Sequence, residues 1–119
     1  MSLGARGERI AARTLKRGGY RILARNFTCP AGELDLIALD GDTVVFVEVK
    51  TRTSDQSADP EANVHYHKKR QLARTAKYYL AMTGAADRPC RFDVVAVVLA
   101  PRHKPVIEHF IDAFHAVPA

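Results

Sequence analysis

Only two cysteines, Cys29 and Cys90, occur among the 119 residues, and they share no CxxC spacing. With no apolar export segment in view, this predicts two reduced thiols in a cytoplasmic protein, and neither a disulfide nor a cysteine metal site. No apolar run reaches the roughly 18 to 20 residues needed to cross a bilayer, so no membrane partner is expected. The start, MSLGARGERIAARTLKRGG, is arginine-rich but carries Glu8 within a helical pattern, which suits a folded helix better than a transit peptide. No Ser-His-Asp arrangement, P-loop or GxGxxG sequence is present, and His65 and His67, two apart on a helix, do not face each other. No repeat, low-complexity tract or composition shift divides the chain, so one domain over residues 1–119 is expected.

Basic residues are plentiful. Lys and Arg total 18 against 13 Asp and Glu, a net charge of +5. That balance favours polyanionic partners without specifying one.

The apolar periodicity predicts an α/β protein, a mixed β-sheet flanked by helices. A helix over about Ala5 to Arg17 stops at Gly18-Gly19. Tyr20 to Asn26 reads as a short strand and Cys29-Pro30-Ala31-Gly32 as a turn. Strands at Glu33 to Leu39 and Thr43 to Lys50 join through Asp40-Gly41, a hairpin signal. Residues 51 to 62 form a polar surface loop. A second helix runs from about Val64 to Met82, capped by Asn63 or begun earlier at Asp59-Pro60. Phe92 to Leu99 is apolar enough for a strand covered on both faces. Val106 to Ile111 makes an edge strand, and Asp112 to Ala119 is expected as a helical turn or coil.

Charges interrupt the hairpin GELDLIALDGDTVVFVEVKTR, where unpaired burial would cost several kcal/mol in practice. With a two-residue turn at Asp40-Gly41, Glu33 faces Glu48 and Asp35 faces Phe46. Asp35, Glu48 and Lys50 then share one strand face, the two carboxylates as diagonal neighbours roughly 5 to 8 Å apart at Cβ. A one-residue slip would separate them. Carboxylates this close repel unless one is protonated or a cation lies between them. An all-oxygen site with two carboxylates suits Mg²⁺ or Mn²⁺, and the Lys50 ammonium could orient an attacking water. The pattern predicts phosphodiester hydrolysis. ExK alone frames many solvated strand ends; Asp, a β-turn and then ExK on a valine-rich strand is a narrower pattern.

The helices add to it. Glu8 falls at the centre of the helical face made by Ala11, Ala12 and Leu15, where it could reach into such a site; as a first-turn acid it would also suit the helix dipole. On the second helix Lys68 lies within the apolar arc of Val64, Leu72, Ala76 and Tyr79, with Gln71 at its margin. The run HYHKKRQLAR reads either as a phosphate-attracting surface or as a solvated helix face.

The segments GERIAARTLKRGGYRILARNF, GELDLIALDGDTVVFVEVKTR, KKRQLARTAKYYL and RFDVVAVV, in that order, resemble the YraN family of small bacterial proteins over nearly the whole chain. The resemblance implies the restriction-endonuclease-like (PD-(D/E)xK) core, in the order helix, three strands, helix, strand, and a likeness to Holliday junction resolvases. Position by position it implies Asp35 as the first acidic residue, Glu48 and Lys50 as the ExK, and Glu8 as the acid some members carry on the first helix. The carbonyl of Val49 would complete the metal shell. Leu34 stands where the motif's name has proline. Expected from this are a Mg²⁺- or Mn²⁺-dependent nuclease of DNA repair or recombination acting on branched DNA, and a homodimer making two symmetric cuts. Lys68, Gln71, Lys69, Arg70 and Arg52 would contact the nucleic acid. The competing expectations are a non-catalytic nucleic-acid-binding or adaptor protein that retains the fold, and a protein-interaction module with merely solvating basic faces.

Overall fold

A computed structural model describes residues 1–53 and 64–115. Helix α1 (Leu3–Arg17) is followed by strands β1 (Arg21–Cys29), β2 (Gly32–Asp40) and β3 (Thr43–Arg52), helix α2 (Tyr66–Met82), and strands β4 (Cys90–Val98) and β5 (Val106–Phe114). The strands form one sheet in chain order, β1-β2-β3-β4-β5. Only β3 and β4 are parallel; the other three pairings are antiparallel. This is the mixed α/β architecture expected, and it is consistent with a restriction-endonuclease-like core.

Each helix covers one face of the sheet. Ala11, Ala12 and Leu15 of α1 pack on Leu36, Ala38, Val45, Val47, Val95 and Val97. Leu72, Ala76 and Tyr79 of α2 pack on Ile37, Val44, Phe46, Phe92 and Val94 on the other side. Burial on both faces explains why β4 reads as a nearly unbroken apolar run.

The α1 face is built from small residues, and the helix lies close to the sheet. A Cβ at Gly7 would run into the Thr51 side chain near the end of β3. Gly7→Ala is therefore expected to cost about 1–3 kcal/mol through overpacking, despite alanine's better helix propensity. Thermal unfolding of Gly7→Ala beside the Gly7→Ala/Thr51→Ala pair tests this; the second change should recover part of the loss.

The hairpin turn differs from expectation by one position. Leu36 pairs with Val47 and Asp40 with Thr43, so Gly41 and Asp42 are the central turn residues. Gly41 has φ +58°, and positive φ at the first central residue alone marks a type II′ turn, which glycine accepts without steric cost. Asp40 stays in the strand, where its carboxylate pairs with Arg91 at 3.0 Å. The register moves by two residues and side-chain faces are kept, but Asp35 now stands opposite Glu48 instead of diagonal to it.

Three other boundaries move. β1 continues past Asn26, which takes φ +50°, a left-handed conformation that asparagine tolerates. β5 continues to Phe114, so Asp112–Phe114 is strand and not the turn or coil expected. Asp112 sits at φ +54° where the β4–β5 register shifts, and its N–H donates to the Asp93 carboxylate at 2.9 Å. Phe114 then stacks on Phe92 at 5.0 Å, anchoring the extension. Helix α2 begins at Tyr66 with His65 at the N-cap, while Val64 lies outside the helix, buried in the core. The Asn63 cap, the Asp59-Pro60 start, most of the 51–62 loop and the last four residues lie outside the described residues.

Candidate functional site

Strand β3 changes character along its length. Val44 to Val47 are buried; from Glu48 to Arg52 every residue is half-buried, as the strand emerges from between the helices. The β2–β3 ladder stops at Leu36↔Val47. Beyond it, the Val49 N–H donates to Asp35 Oδ2 at 2.8 Å, so a side chain continues the pairing that the backbone leaves off.

The neighbouring β1–β2 pair is distorted at the same level. Arg25 pairs with Leu36 and Phe27 with Leu34, which places Asn26 across from Asp35. Leu34 and Ile37, three residues apart, both belong to the α2-side core. Strict alternation would put them on opposite faces, so the strand turns about its axis around Asp35. That rotation lets Asp35 sit at the rim, within reach of carboxylates from both sides of the sheet.

Glu48 comes from the α2 side. Its side chain is 15% exposed, hydrogen-bonds Asp35, and lies 3.4 Å from the Lys68 ammonium on α2. Burial, then the hydrogen bond and the charge of Asp35, push its pKa up to about 8, with Lys68 opposing. Glu8 comes from the α1 side. Burial first, then the charge of Asp35, raise its pKa as well, and a hydrogen bond with Asn26 offsets part of this.

Three carboxylates thus converge on one rim, from α1, β2 and β3. Lys50 follows Glu48 two residues on along β3 and is half-buried. Among the described residues, no group of three or more His, Cys, Asp or Glu side chains stands in a ready-made metal cage. Two contacting carboxylates fit Mg²⁺ or Mn²⁺, which usually keep several waters, better than a metal needing an all-protein shell.

A pH dependence follows. A carboxyl whose folded pKa is raised contributes stability below its unfolded pKa, near 4.5, and that contribution is lost as pH rises through about 8. The metal-free melting temperature should therefore fall between about pH 5 and pH 8.5. Glu48→Gln should flatten this slope, and Mg²⁺ or Mn²⁺ should restore the wild type at the alkaline end. An equal slope in Glu48→Gln would show that another group is responsible.

The expected nucleic-acid residues divide. Lys68 faces the site. Gln71 packs on Gly32 at the start of β2; a Cβ there would meet its Nε2 at 2.7 Å. Lys69 instead lies over the Phe114 ring at 5.7 Å, and Arg70 over Tyr66 at 5.9 Å. Arg52 is half-buried at the end of β3, its carbonyl accepting from the Leu99 N–H at 2.7 Å.

Two features lie outside the sequence-based expectation. Asn26 is expected only as the end of a strand, although an asparagine ahead of Phe27 hints at a left-handed residue. Asp93 is expected as part of an apolar run, yet it is fully buried and joined to Arg91 and His109. A lone acid between Phe92 and Val94, two residues after an arginine, was the available signal.

The comparisons with known proteins agree with the expected kinship. A UPF0102 protein of Geotalea uraniireducens is 49% identical over 113 residues, covering 95% of this chain and 89% of its own length. Others are 50% identical over 96 residues in Moorella thermoacetica, covering 81% and 80%, and 47% over 114 residues in Symbiobacterium thermophilum, covering 96% and 97%. No described helix is long and apolar enough to cross a membrane. The model of the Uncharacterised protein family UPF0102 matches residues 7–97, the span holding most of α1, the distorted hairpin and nearly all of β4, and the chain belongs to that family, the YraN family its segments resemble.

Proposed function

We propose that this protein is a metal-dependent nuclease that hydrolyses phosphodiester bonds of DNA. The observation that carries this reading is the contact of the Asp35 and Glu48 carboxylates at the rim of the sheet. Such a pair is fully ionised only when a cation lies between the two groups, and a third carboxylate stands nearby.

Asp35 and Glu48 would hold Mg²⁺ or Mn²⁺, with the Val49 carbonyl and Glu8 completing the shell directly or through water. The bound ion supplies Lewis-acid polarisation of the phosphoryl oxygen and acidifies a water. The Val49 N–H bond to Asp35 holds that carboxylate in one orientation. Lys50 would position the attacking water and offset charge developing on the phosphoryl oxygens. Lys68, within reach of Glu48, would exchange that partner for a phosphate oxygen when substrate binds, and Gln71 lies alongside. Branched DNA, a role in repair or recombination, and a dimer cutting two strands rest on the resemblance to junction resolvases.

The second reading, a nucleic-acid-binding or adaptor protein without catalysis, draws on one observation. Lys68 already pairs with Glu48, a cation supplied by the chain itself. The deciding experiment is a cleavage assay on single-stranded, duplex and four-way-junction DNA with Mg²⁺, Mn²⁺ or a chelator. Cutting that needs the metal establishes the nuclease, and the preferred form names the substrate. Junction shifted on a gel but uncut under every condition would move the assignment to the binding protein.

A further inference from the structure

The first turns of α1 and the β4–β5 loop enclose a cavity of about 460 Å³, lined by Arg6, Thr53, Leu99, Pro101, Arg102 and His103 among others. It lies where the parallel strands β3 and β4 end, the same end of the sheet as Glu48 and Lys50. Among the described residues that line it, the polar side chains are cationic or neutral and none is acidic. None of Arg6, Arg102 and His103 has an ion-pair partner among the described residues, and all three are exposed. The first turn of α1 holds no acid either, so its partial positive charge adds to theirs.

Arg102 takes φ +62°. Arginine gains nothing from that conformation, which glycine would adopt freely. A second cavity, of about 340 Å³ at the turn end of the sheet, shows the contrast: Asp42 and Asp87 line it beside Arg88. Among the described residues, acids stand beside the cation in that cavity, and only cationic or neutral groups line the first.

We propose that the cavity between α1 and the β4–β5 loop binds a backbone phosphate of the same nucleic acid whose scissile phosphate lies at the Asp35–Glu48 rim. Arg6 and Arg102 supply the charge, and Thr53 and His103 supply hydrogen-bonding groups. This rests on the nuclease reading for its ligand. Glu48 and Thr53 are separated by about 17 Å of strand at roughly 3.3 Å per residue. A DNA strand advances roughly 3.4 Å along the helix axis per phosphate, so the two stations would be about five nucleotides apart. One contact at the scissile bond leaves a duplex free to pivot; a second fixes the direction in which it crosses the sheet end.

The test is binding of a fluorescently labelled DNA duplex over a salt series, with chelator present so that nothing is cut. The variants are Arg6→Ala/Arg102→Gly, its charge-keeping counterpart Arg6→Lys/Arg102→Lys, and Lys77→Ala as an exposed cation elsewhere. Glycine at 102 suits the local φ, and thermal melts check that each variant folds. Loss of that one phosphate contact should reduce the slope of log affinity against log salt by about 0.9, with the lysine pair near wild type. Mn²⁺ affinity should not change, because neither arginine belongs to the carboxylate rim. A wild-type slope in the Ala/Gly variant, or an equal loss in Lys77→Ala, overturns the cavity assignment while leaving the nuclease reading intact. No duplex binding by the wild type overturns the cavity assignment, and the cleavage assay then judges the rim separately.

Discussion

Asp93→Ala should destabilise the protein by about 3–5 kcal/mol, the usual consequence of removing one partner from a buried ion pair. Asp93 is fully buried and accepts from Arg91 Nε at 3.0 Å and from the Asp112 N–H at 2.9 Å, with His109 Nε2 at 2.7 Å. Its removal would leave the bulged turn of β5 without an acceptor and Arg91 with only Asp40 and Tyr20. The expected loss is a large share of the 5–15 kcal/mol by which domains are usually stable. Urea unfolding of wild type, Asp93→Ala and Asp93→Asn measures it, and asparagine should lose less because it keeps an acceptor. Acid acts on the same group. Burial would raise the Asp93 pKa, but the bonds from His109, Arg91 and the Asp112 N–H outweigh it and hold the pKa below the usual value. Its contribution is therefore present above about pH 4 and lost as pH falls through the lowered folded value. A loss under 1 kcal/mol for Asp93→Ala would mean that β5 is held by Phe110 and Phe114 without the network.

The elements of the fold were legible because each has a local cause. Small residues at helical spacing announced α1, Gly18-Gly19 its end, and the valine run the buried strand. The meeting of Asp35 and Glu48 was legible too, because a two-residue shift of register leaves each strand's faces unchanged. What stayed hidden depends on partners far apart in sequence. The choice between Asp40-Gly41 and Gly41-Asp42 as the turn is settled partly by Arg91, which holds Asp40 in the strand from 51 residues away. The extension of β5 depends on Asp93 supplying an acceptor to Asp112. The rotation of β2 at Asp35 is matched by Asn26 on the neighbouring strand, and no period-2 pattern expresses a paired distortion. Lys68 was placed correctly on the packing arc of its helix, but its pairing with Glu48 required the crossover geometry that α2 supplies.

Asp35→Asn separates the two things Asp35 does, holding the backbone and holding charge. The amide oxygen can still accept from the Val49 N–H, so the junction of β2 and β3 should stay closed. The negative charge is lost, and with it the repulsion that Asp35 exerts on Glu48 and Glu8. Metal-free Asp35→Asn should therefore melt at or above the wild-type temperature above about pH 8, where Glu48 is mostly ionised and that repulsion is greatest. Cleavage should move the other way. Loss of one of the two carboxylates proposed to hold the metal should remove several kcal/mol of transition-state stabilisation, about 10³-fold in kcat/KM. DNA affinity should be unchanged or higher, because one negative charge facing the phosphates is gone. Asp35→Ala should lose as much activity but also leave the Val49 N–H without its acceptor, and so melt about 1–3 kcal/mol less stably than Asp35→Asn. A stabilised, DNA-binding, inactive Asp35→Asn is the signature of a site kept for chemistry at the expense of stability. If Asp35→Asn is less stable and activity does not change, the carboxylate pair is structural and the metal lies elsewhere.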